Sequence, residues 1–235
     1  MFNVQNFSTK EYKNTLLFDH KNFCGIELDL DFTKIKYNRI SLINLAIYKI
    51  LREKNLKIEQ LNYLEIGCYD DACFSSIPIV NKIGVDPVQG GTIKTTSDHF
   101  FLNNKLLFDI IFVDGLHEYE QVRNDVSNSL SCLKEGGYLF IHDMIPRNFA
   151  EENVPRLQDI WTGNVWKVGL ELLETNNVDF FVVKADHGIG VVQKKGLAQL
   201  NNQIDYLKDL RFKDFLTLSN KISYLSVEDA ISRLK

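Results

Sequence analysis

The sequence predicts an α/β fold with a doubly wound, mostly parallel sheet of seven strands and a C-terminal antiparallel hairpin. Short apolar runs at 63–66, 82–85, 108–113 and 138–141 alternate with longer segments, which is typical of parallel strands joined by crossover helices. A further strand is expected before Thr96. Runs rich in β-branched and aromatic residues at 179–183 and 188–193, joined by residues 184–187, predict the hairpin.

Helical periodicity predicts the elements that flank this sheet. Apolar positions recur at helical spacing over 31–54 and over 197–210, and a crossover helix is predicted over 118–133, stopped by Gly136 and Gly137. We therefore expect an N-terminal extension with an amphipathic helix (1–58), a core domain (59–196) and a C-terminal helical extension (197–235). An apolar helix face beyond the core needs cover, so a homo-oligomer is also expected.

Composition excludes several functional classes. The chain has 235 residues, 45% of them hydrophobic, and a formal net charge of -4, which suits one globular domain and argues against nucleic-acid binding. No run approaches the roughly 18 apolar residues of a membrane span, and the first residues lack the apolar core of a signal peptide. We expect a cytoplasmic protein whose four cysteines are reduced and mostly buried.

A glycine turn and a later acid form a candidate nucleoside site. Gly67 follows the first strand, and Asp86 ends the second strand nineteen positions later. Glycine allows the backbone to approach a ligand, and a carboxylate at that strand tip can accept from both ribose hydroxyls. Many α/β proteins also need such a glycine for steric reasons alone. Residues 68–72 lack the further glycines that dinucleotide-binding folds use to hold pyrophosphate.

Two pairs of an acid and an imidazole follow neighbouring strands. Asp114 and His117 come after the run 108–113, and His142 and Asp143 come after the run 138–141. Because the carboxyl ends of parallel strands meet at one edge of a sheet, these four side chains should converge. The structural alternative is that Asp114 caps the following helix and His142 is a satisfied, half-buried imidazole.

These motifs resemble class I S-adenosylmethionine (SAM)-dependent methyltransferases. Glu65-Ile66-Gly67 matches the family's first motif, an acid, any residue and glycine, and Asp86 matches its second-strand acid. The resemblance implies a Rossmann-like methyltransferase fold in which the core 59–196 binds SAM, with Glu65 under the methionine end and Tyr69 in the same loop. Asp71 stands where the family commonly has a second glycine, so the loop is expected to be less tight than in the family.

The resemblance also implies a contact with adenine. Ser97 and Asp98 lie where members of the superfamily often present groups to the adenine ring, and Asp98 can accept from its amino group. The alternative for Asp98 is a helix N-cap, because Ser and Asp satisfy free backbone N–H groups.

From about 61 to 155 the chain resembles a narrower subgroup, the metal-dependent sugar O-methyltransferases of natural products and surface polysaccharides. The resemblance implies that Asp114 and Asp143 bind a metal, with Asp114 also near the cofactor, and that His117 is the general base. His142 replaces the first acid of an acidic pair. Oxygen ligands favour Mg²⁺, whereas His142 as a ligand would favour Mn²⁺, Fe²⁺ or Zn²⁺. A metal would lower the pKa of a sugar hydroxyl, a poor nucleophile near neutral pH.

The irregular segment 144–166 is the expected lid over the acceptor. We expect Arg147 to pair with a phosphate and Trp161 to stack on a sugar, although Trp161 can equally be a packing anchor. The expected function is methyl transfer to a hydroxyl of a sugar, sugar nucleotide or related small polar metabolite, in polysaccharide or natural-product biosynthesis. The alternatives are a metal-independent O- or N-methyltransferase of a small molecule and a SAM-binding protein without turnover.

Overall fold

The protein is built around a single seven-stranded sheet. A computed structural model describes residues 10–201 and 205–235, and its strands lie in the order β2-β1-β3-β4-β6-β5-β7. The first four in sequence are β1 (Asn62–Ile66), β2 (Asn81–Val85), β3 (Phe108–Val113) and β4 (Leu133–Ile141). They pair in parallel. The chain steps from β1 outward to β2 and then returns to place β3 on the other side of β1, which makes the β1–β3 boundary a topological switch point.

The second half of the sheet contains the predicted hairpin. Strands β5 (Val178–Val183) and β6 (Ile189–Lys194) pair antiparallel, and β6 also pairs antiparallel with β4. A two-residue strand, β7 (Tyr224–Leu225), adds parallel to β5. The doubly wound, mostly parallel seven-stranded fold is therefore confirmed.

Helices cover both faces of the sheet. The described helices are α1 (Lys10–Phe23), α2 (Arg39–Lys54), α3 (Ala72–Ser76), α4 (Ser97–Asn103), α5 (Tyr119–Cys132), α6 (Phe149–Glu152), α7 (Trp166–Leu173), α8 (Phe212–Leu218) and α9 (Val227–Leu234). None of these helices has both the length and the apolar character needed to cross a bilayer.

Alternation along the strands divides the core into two layers. In β3, Ile110 and Phe112 join the cluster that contains buried residues of α2, α3 and α9. Ile111 and Val113 join the cluster that contains buried residues of α4, α5, α7 and α8. Because side chains of a strand alternate between faces, a continuous apolar run of this kind predicts a strand buried on both sides, as observed.

The long N-terminal helix begins later than predicted. Residues 32–34 form a separate 3₁₀ turn, and α2 starts at Arg39 because the Asn38 side chain accepts from the backbone N–H of Ser41 at 3.2 Å. The apolar face of α2 is buried against the sheet at Leu42, Ile43, Ala46, Ile47 and Ile50. That face therefore does not argue for a second subunit, and the homo-oligomer stays a prediction.

Other boundaries differ from the prediction. The strand expected before Thr96 is a single bridge between Val85 and Ile93. The helix expected over 197–210 is wrong where it is described: residues 197–201 are irregular and Asp205–Asp209 form a 3₁₀ turn, while 202–204 lie outside the described residues. Gly136 and Gly137 do not stop α5, which ends at Cys132, but lie within β4. The N-terminal extension, of which residues 1–9 are not described, contains α1.

Candidate active site

A cavity of about 540 Å³ opens at the switch point, where the carboxyl ends of β1, β3 and β4 meet. The first turn of α2 and the β5–β6 turn complete its wall. The predicted site residues that line it are Glu65, Gly67, Tyr69, Asp114, His117, His142 and Asp143. Those that do not line it are Asp86, Ser97, Asp98, Arg147 and Trp161.

Gly67 is required by the packing of two loops. Its φ is +84°, and a Cβ there would lie 2.0 Å from the backbone oxygen of Asp114. The backbone N–H of Asp114 in turn donates to the oxygen of Ile66 at 2.8 Å. The steric reason for a glycine therefore holds at this position, and the same close contact brings Asp114 beside the loop that follows β1.

Asp71 keeps that loop tight although it replaces a glycine. Its φ is +62°, a left-handed conformation that Asp adopts more readily than most residues. Its Oδ1 atom accepts from the backbone N–H of Gly91 at 2.6 Å, which ties the loop after β1 to the loop after β2. The departure from the family motif does not loosen the turn.

Asp86 braces the backbone at the tip of β2. Its Oδ2 accepts from the N–H groups of Cys68 and Tyr69 at 3.1 Å each, and its Oδ1 accepts from those of Val88 and Gln89 at 2.8 and 2.9 Å. Burial raises the pKa of this carboxyl, but the four donors outweigh it and lower the pKa below its ordinary value. Since a carboxylate offers about four lone-pair sites, a ribose hydroxyl would have to share one that is already used.

Glu65 is a buried acid at the floor of the cavity. Its side chain is 1% exposed and accepts from the hydroxyl of Tyr63. Burial raises its pKa from 4.5 to about 7, with the Asp114 and Asp71 carboxylates adding to the rise and the Tyr63 hydrogen bond opposing it. A carboxyl in this state ionises readily when a cation is placed beside it.

The predicted cluster of acids and imidazoles does converge. Ligand atoms of Asp114, His117 and Asp143 all lie within 4.8 Å of one another. His142 Nδ1 lies 3.1 Å from Asp114 Oδ1 and 2.9 Å from Asp143 Oδ2. Asp143 has a φ of +61°, so its backbone is held in a conformation that non-glycine residues rarely adopt, as happens at functional sites.

The charges of this cluster stabilise one another. Burial opposes charge on His117 and His142, yet the neighbouring carboxylates raise the pKa of His117 and, more strongly, that of His142. In return the imidazoles and Arg39 hold the pKa of Asp114 well below its ordinary value. Asp114 does not cap α5, whose N-cap residue is Glu118, and this structural alternative is wrong.

His117 is oriented by the segment that follows α6. Its Nδ1 lies 2.8 Å from the backbone oxygen of Trp161, to which an Nδ1–H can donate, and its Nε2 lies 3.5 Å from Asp114 Oδ1. The Trp161 ring stacks on the His117 ring with centroids 5.2 Å apart. A Cβ on Gly163 would lie 1.8 Å from the His117 oxygen, which shows how closely this segment fits. Trp161 thus packs against the candidate base.

Arg39 and Asp186 belong to the site although the sequence did not indicate them. Arg39 donates from Nε and Nη2 to the two oxygens of Asp186 at 2.8 and 3.0 Å, and from Nη1 to Asp114 Oδ2 at 2.5 Å. Asp186 lies in the β5–β6 turn with a φ of +49°. Burial lowers the pKa of Arg39, but the carboxylates of Asp114 and Asp186 outweigh it and raise the pKa.

The predicted adenine residues form a separate polar group. Gln121 Nε2 donates at 3.2 Å to Ser97 Oγ, Asp98 Oδ1 and Asp125 Oδ1. Asp98 is not the N-cap of α4, because Thr96 fills that position by accepting from the backbone N–H of His99. The contact of Ser97 and Asp98 with adenine stays a prediction.

The segment predicted as a lid is packed into the fold over much of its length. Met144, Ile145 and Glu151 are buried, and Arg147 pairs with Glu151 and lies 3.8 Å from Glu27. A phosphate would have to compete with the fully buried Glu151 for the Arg147 guanidinium. The phosphate role of Arg147 stays a prediction.

Part of the chain matches a known protein family. Residues 81–144 match the methyltransferase domain family. The match confirms the predicted enzyme class, a methyltransferase, over the segment that runs from β2 through Asp114 to Asp143. An uncharacterized protein, R132, of Acanthamoeba polyphaga mimivirus is 24% identical over 132 residues, which are 43% of this chain. The aligned part spans 60% of that relative's length.

Three solved structures share parts of the architecture. The SAH-bound methyltransferase PaMTH1 of Podospora anserina is 15% identical, with a TM-score of 0.45, covering 80% of this chain and 97% of its own. The O-methyltransferase TomG of Streptomyces achromogenes has 12% identity, a TM-score of 0.41 and coverages of 69% and 92%. The O-methyltransferase of Bacillus cereus has 13% identity, a TM-score of 0.43 and coverages of 77% and 90%. Similarity at this level carries no argument about substrates.

Proposed function

We propose that this chain transfers the methyl group of SAM to a hydroxyl of a sugar, sugar nucleotide or related polar metabolite, aided by a divalent cation, Mg²⁺ first among the candidates. One observation carries the proposal: the cluster of Asp114, His117 and Asp143 faces the same cavity as Glu65 and Gly67. A cofactor at the β1 loop would then present its methyl group to an acceptor held beside an acid and a base. Carbohydrate or natural-product biosynthesis in the cytoplasm is part of the same proposal.

The donor set fits a divalent cation. Asp114 and Asp143 offer carboxylate oxygens, and His142 offers an imidazole nitrogen beside both of them. Both ring nitrogens of His142 are buried without a well-formed hydrogen bond, although carboxylate oxygens lie within about 3 Å of Nδ1. Buried polar atoms left in this way are costly, and a cation shared with Asp114 and Asp143 would satisfy Nδ1.

The residues of this chain divide the chemistry between them. When bound, SAM supplies a methyl group on a cationic sulfur, and a divalent cation lowers the pKa of a hydroxyl. Asp114 and Asp143 would hold the cation. His117, with Nδ1–H donated to Trp161, would take the hydroxyl proton on Nε2 while the acceptor oxygen bonds to the methyl carbon and the carbon–sulfur bond breaks. The methyl group ends on the acceptor, the proton on His117, and SAH is left behind.

The test is acceptor-dependent conversion of SAM to SAH. Purified protein is assayed with a panel of sugars and sugar nucleotides in the presence of Mg²⁺, and again after exhaustive chelation with EDTA. We expect SAH to form with at least one sugar-containing acceptor, to stop with EDTA and to return with added Mg²⁺. If no member of the panel raises SAH formation above the rate without acceptor, the proposed substrate class is overturned.

The role of His117 is tested by a matched pair of variants. His117→Ala should lower turnover by about 10²-fold or more, the usual contribution of a general base, and leave SAH affinity unchanged. His99→Ala removes an exposed imidazole in α4 and should leave both quantities unchanged. Turnover that survives His117→Ala would remove this residue from the mechanism.

A metal-independent methyltransferase is the second candidate, because Arg39 already places a cation against Asp114. In that case the guanidinium would balance the carboxylates and the acceptor would react by proximity and by base catalysis alone. Activity that persists in EDTA would favour this candidate. Binding of SAH without turnover on any acceptor would instead favour a SAM-binding protein.

A further inference from the structure

We infer that Arg39 binds the α-carboxylate in the methionine part of SAM. The inference rests on the proposed function, since it names the residue that holds one end of that cofactor. A SAM molecule carries an ammonium group and a carboxylate on the same carbon, so its pocket must offer a partner for each sign of charge.

Arg39 is placed at the mouth of the cavity by the start of α2. Its backbone N–H donates to Asp186 Oδ2 at 3.0 Å, and its side chain spans from Asp186 to Asp114. A guanidinium has five N–H donors, and these side-chain contacts use three of them, on Nε, Nη1 and Nη2. The side chain is 27% exposed and lines the cavity, so two donors remain for a ligand.

The charges around the cavity leave few other places for an anion. Five carboxyl groups line it, and Arg39 is the one described lining residue with a permanent positive charge. The ammonium group of a methionine would be attracted to most of this wall, whereas its carboxylate would be repelled from it. The carboxyl groups are those of Glu65, Asp70, Asp114, Asp143 and Asp186.

Most backbone N–H groups of the glycine loop (67–72) are already used within the protein. In many nucleotide sites free N–H groups of such a loop hold an anion. Here five of them already donate to protein oxygens, two of them to Asp86. The five N–H groups are those of Gly67, Cys68, Tyr69, Asp71 and Ala72.

The two imidazoles of the cavity are also engaged. His117 Nδ1 donates to Trp161 and lies 3.2 Å from Asp143, and His142 lies between Asp114 and Asp143. The Arg39 side chain, in contrast, is held in place by the carboxylates of Asp186 and Asp114 and still has free donors. It is therefore preorganised, and a ligand that binds to it requires little reordering. Among the described residues that line the cavity, Arg39 is therefore best placed to donate hydrogen bonds to the carboxylate of the cofactor.

The test compares two ligands that differ in the amino-acid part. SAH carries the ammonium and the carboxylate, whereas 5′-methylthioadenosine has the same adenosine and a thioether but neither charged group. Calorimetry with EDTA present gives the affinity of both ligands for the wild type, for Arg39→Gln and for Arg39→Lys. We expect Arg39→Gln to weaken the binding of SAH about tenfold or more, because a charged hydrogen bond is lost. The affinity for 5′-methylthioadenosine should be unchanged.

Arg39→Lys keeps the charge and loses the planar fork, so it should weaken SAH less than Arg39→Gln does. Arg39→Lys also replaces Arg39→Gln in the test if the glutamine variant does not fold. A loss of affinity for SAH but not for 5′-methylthioadenosine in the lysine variant supports the inference. Unchanged SAH affinity, or equal losses for both ligands, overturns it. Failure of the wild type to bind either ligand would instead overturn the proposed function.

Discussion

Glu65→Gln is expected to stabilise the protein at alkaline pH. In the folded protein burial raises the pKa of Glu65 from 4.5 to about 7, so the folded state binds this proton more tightly than the unfolded state does. The stability that the proton confers is complete below pH 4.5 and is lost as the pH rises towards 7. At about 1.4 kcal/mol per pKa unit the loss reaches about 3 kcal/mol. Glutamine has a similar shape, can accept from Tyr63 and never ionises.

Urea unfolding at pH 5 and pH 8 measures this difference. The free energy of unfolding of Glu65→Gln should exceed that of the wild type by up to about 3 kcal/mol at pH 8 and by much less at pH 5. Glu59→Gln, which changes an exposed carboxyl three residues before β1, is the matched control and should show no such pH dependence. Equal stability of the wild type and Glu65→Gln at pH 8 would refute the reasoning.

Glu65→Gln should also weaken the binding of the cofactor. An ammonium group beside Glu65 favours the ionised carboxylate, and glutamine cannot supply that charge. SAH affinity of Glu65→Gln should therefore fall at pH 8, where the variant is more stable than the wild type. Calorimetry checks this trade between stability and binding, and SAH affinity equal to that of the wild type would show that Glu65 does not face the ammonium group.

Two further substitutions probe the scaffold of the site. Gly163→Ala should lower turnover tenfold or more, because its Cβ would meet the backbone oxygen of His117. Gly25→Ala is the control, since its Cβ would have nothing within 4 Å, and it should not lower turnover. Equal turnover in the two variants would contradict this account. Asp109→Ala removes a buried carboxylate that accepts from Lys134 Nζ at 2.7 Å, and should lower the free energy of unfolding by roughly 3 kcal/mol. Urea unfolding checks the second effect, which a loss of under about 1 kcal/mol would contradict.

Local patterns were sufficient for the elements that hold the site. The strand predicted over 108–113 has the same first and last residues in the structure, because a strand buried on both faces needs a continuous apolar sequence. The acids and imidazoles that follow β3 and β4 were predicted to converge, because parallel strands end at one edge. Both predictions depend only on residues that are close in sequence to a strand end.

Long-range contacts could not be predicted in the same way. Arg39 lies 75 positions before Asp114 and 147 before Asp186, and no local pattern marks an arginine at a helix start as part of a distant site. The helix predicted over 197–210 failed because leucine spacing alone does not show which side chains meet the core. Leu200 is buried there, whereas Leu197 is 89% exposed.

The last helix lies against the helix that carries Arg39. Buried side chains of α9 share the core layer with those of α2, and Arg52 of α2 donates to the backbone oxygen of Lys235. Shortened versions of the chain that stop before Val227 would leave the inner surface of α2 partly bare and would remove the contact at Arg52 in its last turn.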